Sequence, residues 1–224
     1  MAVLDPQSTA FERSQAWRVL NEKGRLPWRQ QWVAYAQISD NLKRAVIASE
    51  DDGFSNHDGV DWDALEKAWQ KNARAEAQAA RAQASKKPGA APGRGKPAVR
   101  PPKIVGGSTI TQQLAKNLFL SGERTLPRKG QEFVLTLLLE TFLSKQRILE
   151  IYLNNVEWGE GVFGAEAAAQ HYFRKPAARL SAYEAARLAV MLPRPRYFEK
   201  LPNSSYVAGR ASLIVNRMAD ADLP

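Results

Sequence analysis

The spacing of apolar positions predicts a chain built mainly from helices. After Ser39-Asp40, residues suited to a helix start, Leu42, Ala45 and Val46, with Ser49 a turn further on, follow i, i+3, i+4, i+7 spacing. Trp62, Leu65 and Trp69 share one stripe of a second helix, from Asp61 to about Asn72. Ser108-Thr109 open a third, with Thr109-x-x-Gln112 as a capping box and Ile110, Leu114 and Leu118 along it. Pro127 fits the first turn of a fourth helix that continues through the apolar run 133–143. Its greasiest stretch, Phe133 to Leu139 between Glu132 and Glu140, reads as a buried helix. Helical patterns at 145–154, 160–171 and 181–192 complete the set, and strand-like alternation is scarce. The expected fold class is mainly α.

No stretch approaches the roughly 18–20 uninterrupted apolar residues of a transmembrane helix. The first residues, MAVLDPQSTAFERSQAW, lack the apolar centre of a signal peptide. The expectation is a soluble chain, or the soluble part of an anchored one. Its 224 residues suit one sizeable domain or two small ones. The absence of Cys excludes a disulfide scaffold, a thiol nucleophile and thiolate metal sites, and two His are too few for a His-rich zinc site.

The formal net charge of +9 points toward an anionic partner, and its distribution changes what that means. Residues 74–103 hold eight basic residues and one acid, with nine Ala, five Pro, three Gly and no aromatic. Their first half is able to extend the preceding helix, since Ala, Gln, Glu and Arg favour helices. From Lys86 onward, Pro and Gly predict a mobile basic loop. Outside this tract the chain is only +2, so the charge is no evidence for a nucleic-acid-binding domain. Without aromatics the tract also lacks the stacking platforms of single-strand binders. Its +7 reads instead as a tether to anionic lipid headgroups.

Three constellations carry candidate chemistry. Glu50-Asp51-Asp52-Gly53-Phe54-Ser55-Asn56-His57-Asp58-Gly59 puts four acids within nine residues, after an apolar helix. Acids at a helix C-terminus oppose the macrodipole, which strains a purely stabilising explanation. A carboxylate there, beside Phe54, suits a general base of raised pKa. A solvated acidic loop or a cation site fits the same residues. Gly106-Gly107-Ser108-Thr109 opening a helix offers N–H groups and hydroxyls to an anion, with Lys116 one turn after Gln112 and Arg124, Arg128 and Lys129 following. A plain capped helix fits as well, and the order of a Walker loop is missing. Glu132 then stands among cations ahead of the apolar run. Together these pieces suit displacement of a phosphorylated leaving group by a deprotonated hydroxyl.

EDDGFSNHDG resembles the EDxxFxxHxG motif of the peptidoglycan glycosyltransferases, glycosyltransferase family 51. GGSTITQQLAKN, RKGQE and KQRILEIYLN (145–154) resemble that family's next three motifs, and HYFRKPAARLSAYEAARLAVMLPRPRYF its closing region. The five motifs run in family order from about Leu42 to Phe198, interrupted by the basic tract. With no transpeptidase domain following, the likeness is to the members that carry this activity alone.

The resemblance implies a lysozyme-like, mainly α glycosyltransferase fold, one domain over 1–224 with a mobile basic loop at about 74–103. It implies polymerisation of lipid II at the periplasmic face of the bacterial inner membrane, the native anchor lying outside this chain. Glu50 and Glu132 fall on the family's two catalytic glutamates, Glu50 as the base toward the acceptor 4-hydroxyl. Asp51, Ser108, Gln112, Lys116, Arg124, Arg128 and Lys129 fall on substrate-binding positions for the donor phosphates and sugars. By analogy with inverting glycosidases, the two carboxyls should stand well apart. A divalent ion such as Mg2+ or Mn2+ beside Glu132 is left open. The implied partners are lipid II, the growing glycan strand, the membrane surface and cell-wall synthesis or division proteins, with no nucleic acid. His57 reads as a structural hydrogen-bonder, and Lys145, Glu150 and Asn154 as braces for helix 145–154. The rivals are a lysozyme-like hydrolase or lytic transglycosylase, and a nonenzymatic module for anionic membrane or nucleic acid. The family's stretch between its first two motifs is usually shorter than Gly59–Gly106 here, which bears on loop behaviour rather than on the active site.

Overall fold

The computed structural model describes residues 1–84, 107–120 and 126–224. These fall into two compact units, Met1–Val60 with Thr109–Pro224, and Asp61–Ser108. The second is described here by one helix, α3 (Trp62–Ala84). It continues past Asn72 into the Ala-rich half of the basic tract, as its helix formers predict. The expected loop from Lys86 and the cation Arg124 lie outside the described residues.

The larger unit is helical, with one small sheet. Its helices are α1 (Ala10–Lys23), α2 (Asp40–Glu50), α4 (Ile110–Phe119), α5 (Leu126–Phe142), α6 (Lys145–Asn155), α7 (Ala165–Phe173), α8 (Ala182–Met191), α9 (Pro195–Phe198) and α10 (Ser205–Arg217). Side chains cap many of the starts. Ser39 accepts from the Leu42 N–H, Ser144 from Arg147 and Ser204 from Val207. Thr9–Glu12, Thr109–Gln112 and Ser181–Glu184 close reciprocal capping boxes. Each box satisfies N–H groups that a helix start otherwise leaves unpaired.

Two expectations are corrected. Residues 160–164 are not helical: β2 (Glu157–Gly159) and β3 (Val162–Phe163) form a hairpin, and α7 begins only at Ala165. The sheet order is β1-β3-β2, with β1 (Arg29–Gln30) parallel to β3. The reason lies in two glycines: Gly161 and Gly164 have φ of +75° and +83°, and a side chain at Gly161 would run into the Pro27 carbonyl. The second correction concerns α5, which is not a buried helix. Glu132, Thr136, Leu139 and Leu143 turn inward, whereas Val134, Leu137, Leu138 and Phe142 are exposed, Phe142 at 72%. A helix apolar all round has no polar face to show which side turns inward.

The core is one cluster in which α2 packs on α8 and α8 on α10. Ala45 and Ala48 on α2, and Ala185, Ala186 and Ala189 on α8, are fully buried. Small side chains let these helices approach closely. Trp158 is the largest buried side chain, and its indole N–H donates to the Leu188 carbonyl at 3.1 Å.

α6 anchors the segment that leads into α2. The wholly buried Asn154 amide accepts from the Val33 N–H at 2.9 Å and donates to the Val33 carbonyl at 3.0 Å. Glu150 accepts from the Tyr35 N–H at 2.8 Å. Both contacts agree with the bracing role expected for this helix. Replacing Asn154→Leu leaves the Val33 backbone groups without these partners, so urea denaturation is expected to show a loss of about 2–4 kcal/mol. A change below about 1 kcal/mol would mean that this clamp does not hold the segment.

Candidate active site

The site grows from the C-terminal end of α2. Glu50 is its last residue, and Asp51 ends the helix with an N–H bonded to the Ile47 carbonyl. A carboxylate here faces the negative end of the α2 dipole, so it needs compensation from elsewhere. Asp51 finds it at the start of α4: one oxygen accepts from the Ile110 N–H at 2.9 Å, the other meets His57 Nε2 at 2.8 Å. His57 Nδ1 in turn accepts from the Gly59 N–H at 3.1 Å, so Nε2 is the nitrogen that carries the proton toward Asp51. Thr109 closes the ring by donating to the Gly59 carbonyl at 2.6 Å. Asp51 is buried with both oxygens used inside the protein, and the turn Gly53–Gly59 is thereby pinned to the head of α4. This geometry makes Asp51 and His57 framework. Gln112 likewise spends its side-chain oxygen on the Thr109 N–H, in the capping box.

Glu50 has a different environment. One carboxylate oxygen accepts from Gln113 Nε2 at 3.1 Å, and Gln113 Oε1 accepts from the Tyr152 hydroxyl at 2.9 Å. Burial raises the Glu50 pKa, the Gln113 hydrogen bond lowers it, the charge of Asp51 raises it again, and Lys116 lowers it; the net shift is upward. An upward shift moves a carboxylate toward the range useful to a general base. Lys116 stands on α4, one turn after Gln112, near enough to act on Glu50 electrostatically.

The base of the site rests on α5. Glu140 accepts from the Thr111 hydroxyl at 2.5 Å and from Lys145 Nζ at 2.8 Å. Lys145 also lies 4.7 Å from the centre of the Phe54 ring. Glu132, four residues before the buried Thr136, is itself buried and pairs with Lys129, whose side chain is largely exposed. Arg128 precedes it in the same turn, and Ser108 is exposed at the end of the other unit. Among the described residues no three acidic or histidine side chains converge as metal ligands. The carboxylates described here build no cation cage, and Glu132 turns to an ammonium instead.

The structure brings Glu50, Asp51, Gln112 and Lys116 to the ends of α2 and α4 and places Lys129 and Glu132 on α5, and it adds Gln113, Glu140 and Tyr152, which the motifs do not single out as site residues. Gln113 lay beside a noted glutamine, and an amide gives no signal in charge or hydropathy. Tyr152 was read as core, which its burial bears out, while its hydroxyl faces the site.

The sequence matches the transglycosylase family over residues 18–84 and 98–219. It is similar to the biosynthetic peptidoglycan transglycosylase of Burkholderia thailandensis, 53% identical over 223 residues, covering 100% of this chain and 77% of the relative. The protein of the same name from Herminiimonas arsenicoxydans is 52% identical over 221 residues, covering 98% and 84%.

The ring around Asp51 leaves no space at Gly59, whose φ is +83°: a Cβ there would stand 2.8 Å from Glu140 Cγ and from Thr136 Cγ2. Gly59→Ala is expected to cost about 2 kcal/mol or more in thermal unfolding, from backbone strain together with the clash. Unchanged stability would mean that the turn is free to move away from α5.

Proposed function

The chain belongs to the transglycosylase family, and from that premise we propose that its Glu50 site joins lipid II units into glycan strands. The protein is a peptidoglycan glycosyltransferase. The family match on both sides of 85–97 supports reading 1–224 as one glycosyltransferase domain.

The observation that carries the mechanism is the half-buried Glu50, its pKa shifted upward, with the Lys116 charge on the neighbouring helix. The donor is the growing strand on undecaprenyl pyrophosphate; the acceptor is the 4-hydroxyl of the next lipid II. Glu50 removes the hydroxyl proton as the oxygen attacks the anomeric carbon from the side opposite the pyrophosphate. The new C–O bond is β as the α-linked phosphate bond breaks, so configuration inverts. Pyrophosphate departs as an anion that needs cations more than a proton. Lys116, Arg128 and Lys129, with Arg124 and Ser108, are the groups assigned to it. Glu132 acts by holding Lys129. Asp51 and Gln112, assigned by motif to substrate, act here through the backbone they position.

A peptidoglycan synthase works at the cell envelope, and the membrane surface is read as the partner of α5. No helix among the described residues is long and apolar enough to cross a membrane. The exposed apolar side of α5 borders an open cleft of about 410 Å³ lined by Met1, Phe119, Leu135, Leu138, Phe142 and Leu143. Arg128 and Lys129 at the head of the same helix favour anionic headgroups. The basic tract adds to that attraction, and all of this supports the periplasmic face of the inner membrane as the working location.

Two tests follow. Glu50→Gln is expected to lower strand formation from lipid II by about a hundredfold or more while donor binding survives. The wild-type acidic limb should fall at a midpoint above the ordinary glutamate value of about 4.3, activity being present above that midpoint and lost as pH falls through it. Wild-type turnover by the variant removes Glu50 as base, and cleavage of finished sacculi without polymer would mark a hydrolase. In flotation with anionic liposomes, the triple change Val134→Ser, Leu138→Ser and Phe142→Ser is expected to weaken binding at least tenfold. Equal flotation would take α5 off the membrane.

A further inference from the structure

A second set of charged groups stands apart from the Glu50 site, at the C-terminal end of α7. A cavity of about 260 Å³ opens there, lined by Tyr172 and Phe173 of α7, Arg187 and Met191 of α8, and Glu199 and Asn203 beyond α9. All of them lie in the larger unit, and none belongs to the candidate active site.

The cavity holds a guanidinium and a carboxylate that do not pair. Arg187 Nη2 donates to the Pro202 carbonyl at 2.9 Å and to Asn203 Oδ1 at 2.6 Å, and the guanidinium stands 5.3 Å from the centre of the Phe173 ring. These partners are all neutral. Nε and Nη1 of Arg187 have no acceptor among the described residues. Glu199 accepts from the Glu160 N–H at 3.0 Å through Oε2, and no cation among the described residues pairs with it. Arg196, three residues earlier, is engaged with Glu157, and Arg18 and Lys23 with Glu160. Opposite charges in one small cavity attract. Here each is kept in place by its own tether, Arg187 by the 202–203 segment and Glu199 by the turn between β2 and β3.

Such an arrangement fits a ligand that brings both counter-charges. Nε and Nη1 remain as charged donors for a carboxylate, and Glu199 Oε1 as an acceptor for an ammonium. The volume lies below the roughly 300–1,000 Å³ of pockets for drug-sized molecules, so both charges belong on one small head. Tyr172, Phe173 and Met191 supply apolar wall for its carbon atoms. The Tyr172 hydroxyl adds no charge of its own: it donates to the Trp158 carbonyl at 2.7 Å, and burial with the nearby Glu199 and Glu157 pushes its pKa up. We propose that this cavity binds the head of an α-amino acid, its carboxylate on Arg187 and its ammonium on Glu199. The inference does not depend on the role of Glu50. Such a head occurs in a free amino acid and at the end of a longer amide-linked side chain, and both sources present the same chemistry.

The test is titration of the full chain with four probes, followed by 1H–15N NMR of the Arg187 Nε–H and the Asn203 side-chain amide. Arg187→Lys identifies the first signal. Alanine is the free head, Nε-acetyl-lysine is the head on a longer stem, and N-acetylalanine and alaninamide each lack one charge. At least one of the first two should shift both signals to saturation. Each one-charge probe should bind about tenfold more weakly or worse, as loss of one charged contact implies. Tighter binding of Nε-acetyl-lysine than of alanine assigns the head to a longer chain; equal or weaker binding assigns it to a free amino acid. Glu199→Gln keeps an acceptor for the Glu160 N–H while removing the charge, and should reduce the two-charge probes to the level of N-acetylalanine. Three results overturn the proposal: no saturation by either two-charge probe, equal binding of a one-charge probe, or unchanged binding in Glu199→Gln. If that variant does not fold, the probe series on the wild type decides by itself.

Discussion

The interaction on which the site depends is the double engagement of Asp51. A carboxylate at the end of α2 opposes that helix's dipole, and a buried one without partners would cost several kcal/mol. By accepting from the first N–H of α4 and from His57, Asp51 moves the unfavourable charge of one helix end onto the favourable end of another. Charge-assisted hydrogen bonds of this kind contribute about 1.5–3 kcal/mol each. Their geometric effect matters more here. They fix the end of α2 against the head of α4, and this sets where Glu50 stands relative to Gln113 and Lys116.

Neighbouring carboxylates thus take different tasks through their surroundings alone. Asp51 has its hydrogen-bonding capacity filled by backbone and imidazole. Glu50 has burial against it and one amide donor in its favour, with a lysine charge on the next helix. The proposed division between a structural acid and a base thus comes from the environment rather than from the residue type.

α5 joins the two halves of the chemistry. Its inner stripe supplies Glu132, Thr136 and Glu140 to the site, and its outer side is apolar and uncovered. A helix with inward-facing carboxylates on one side and exposed Phe142, Leu138 and Val134 on the other suits an enzyme whose substrate has a charged head and a lipid tail. The Asn154 clamp is support: it ties α6, and with it Tyr152, to the segment that leads into α2.

Much of this is local and legible in the sequence. Ser39, the Thr109–Gln112 box and Pro127 mark helix starts through bonds made within a few residues, so spacing alone finds them. The ordered motifs likewise make Glu50 and Glu132 the candidates, because chemistry confines residue type and spacing together. The sequence could not show that 160–164 folds as a hairpin, since Gly161 is required by the Pro27 carbonyl, more than a hundred residues away. Nor could it show which side of α5 faces water, since a continuous apolar run carries no direction. The relay from Tyr152 through Gln113 to Glu50 joins α6, α4 and α2, and nothing in any one segment predicts it. Residue identity determined which groups were present; tertiary packing alone decided which hydrogen bonds each carboxylate receives, because desolvation and partner geometry exist only once distant helices meet.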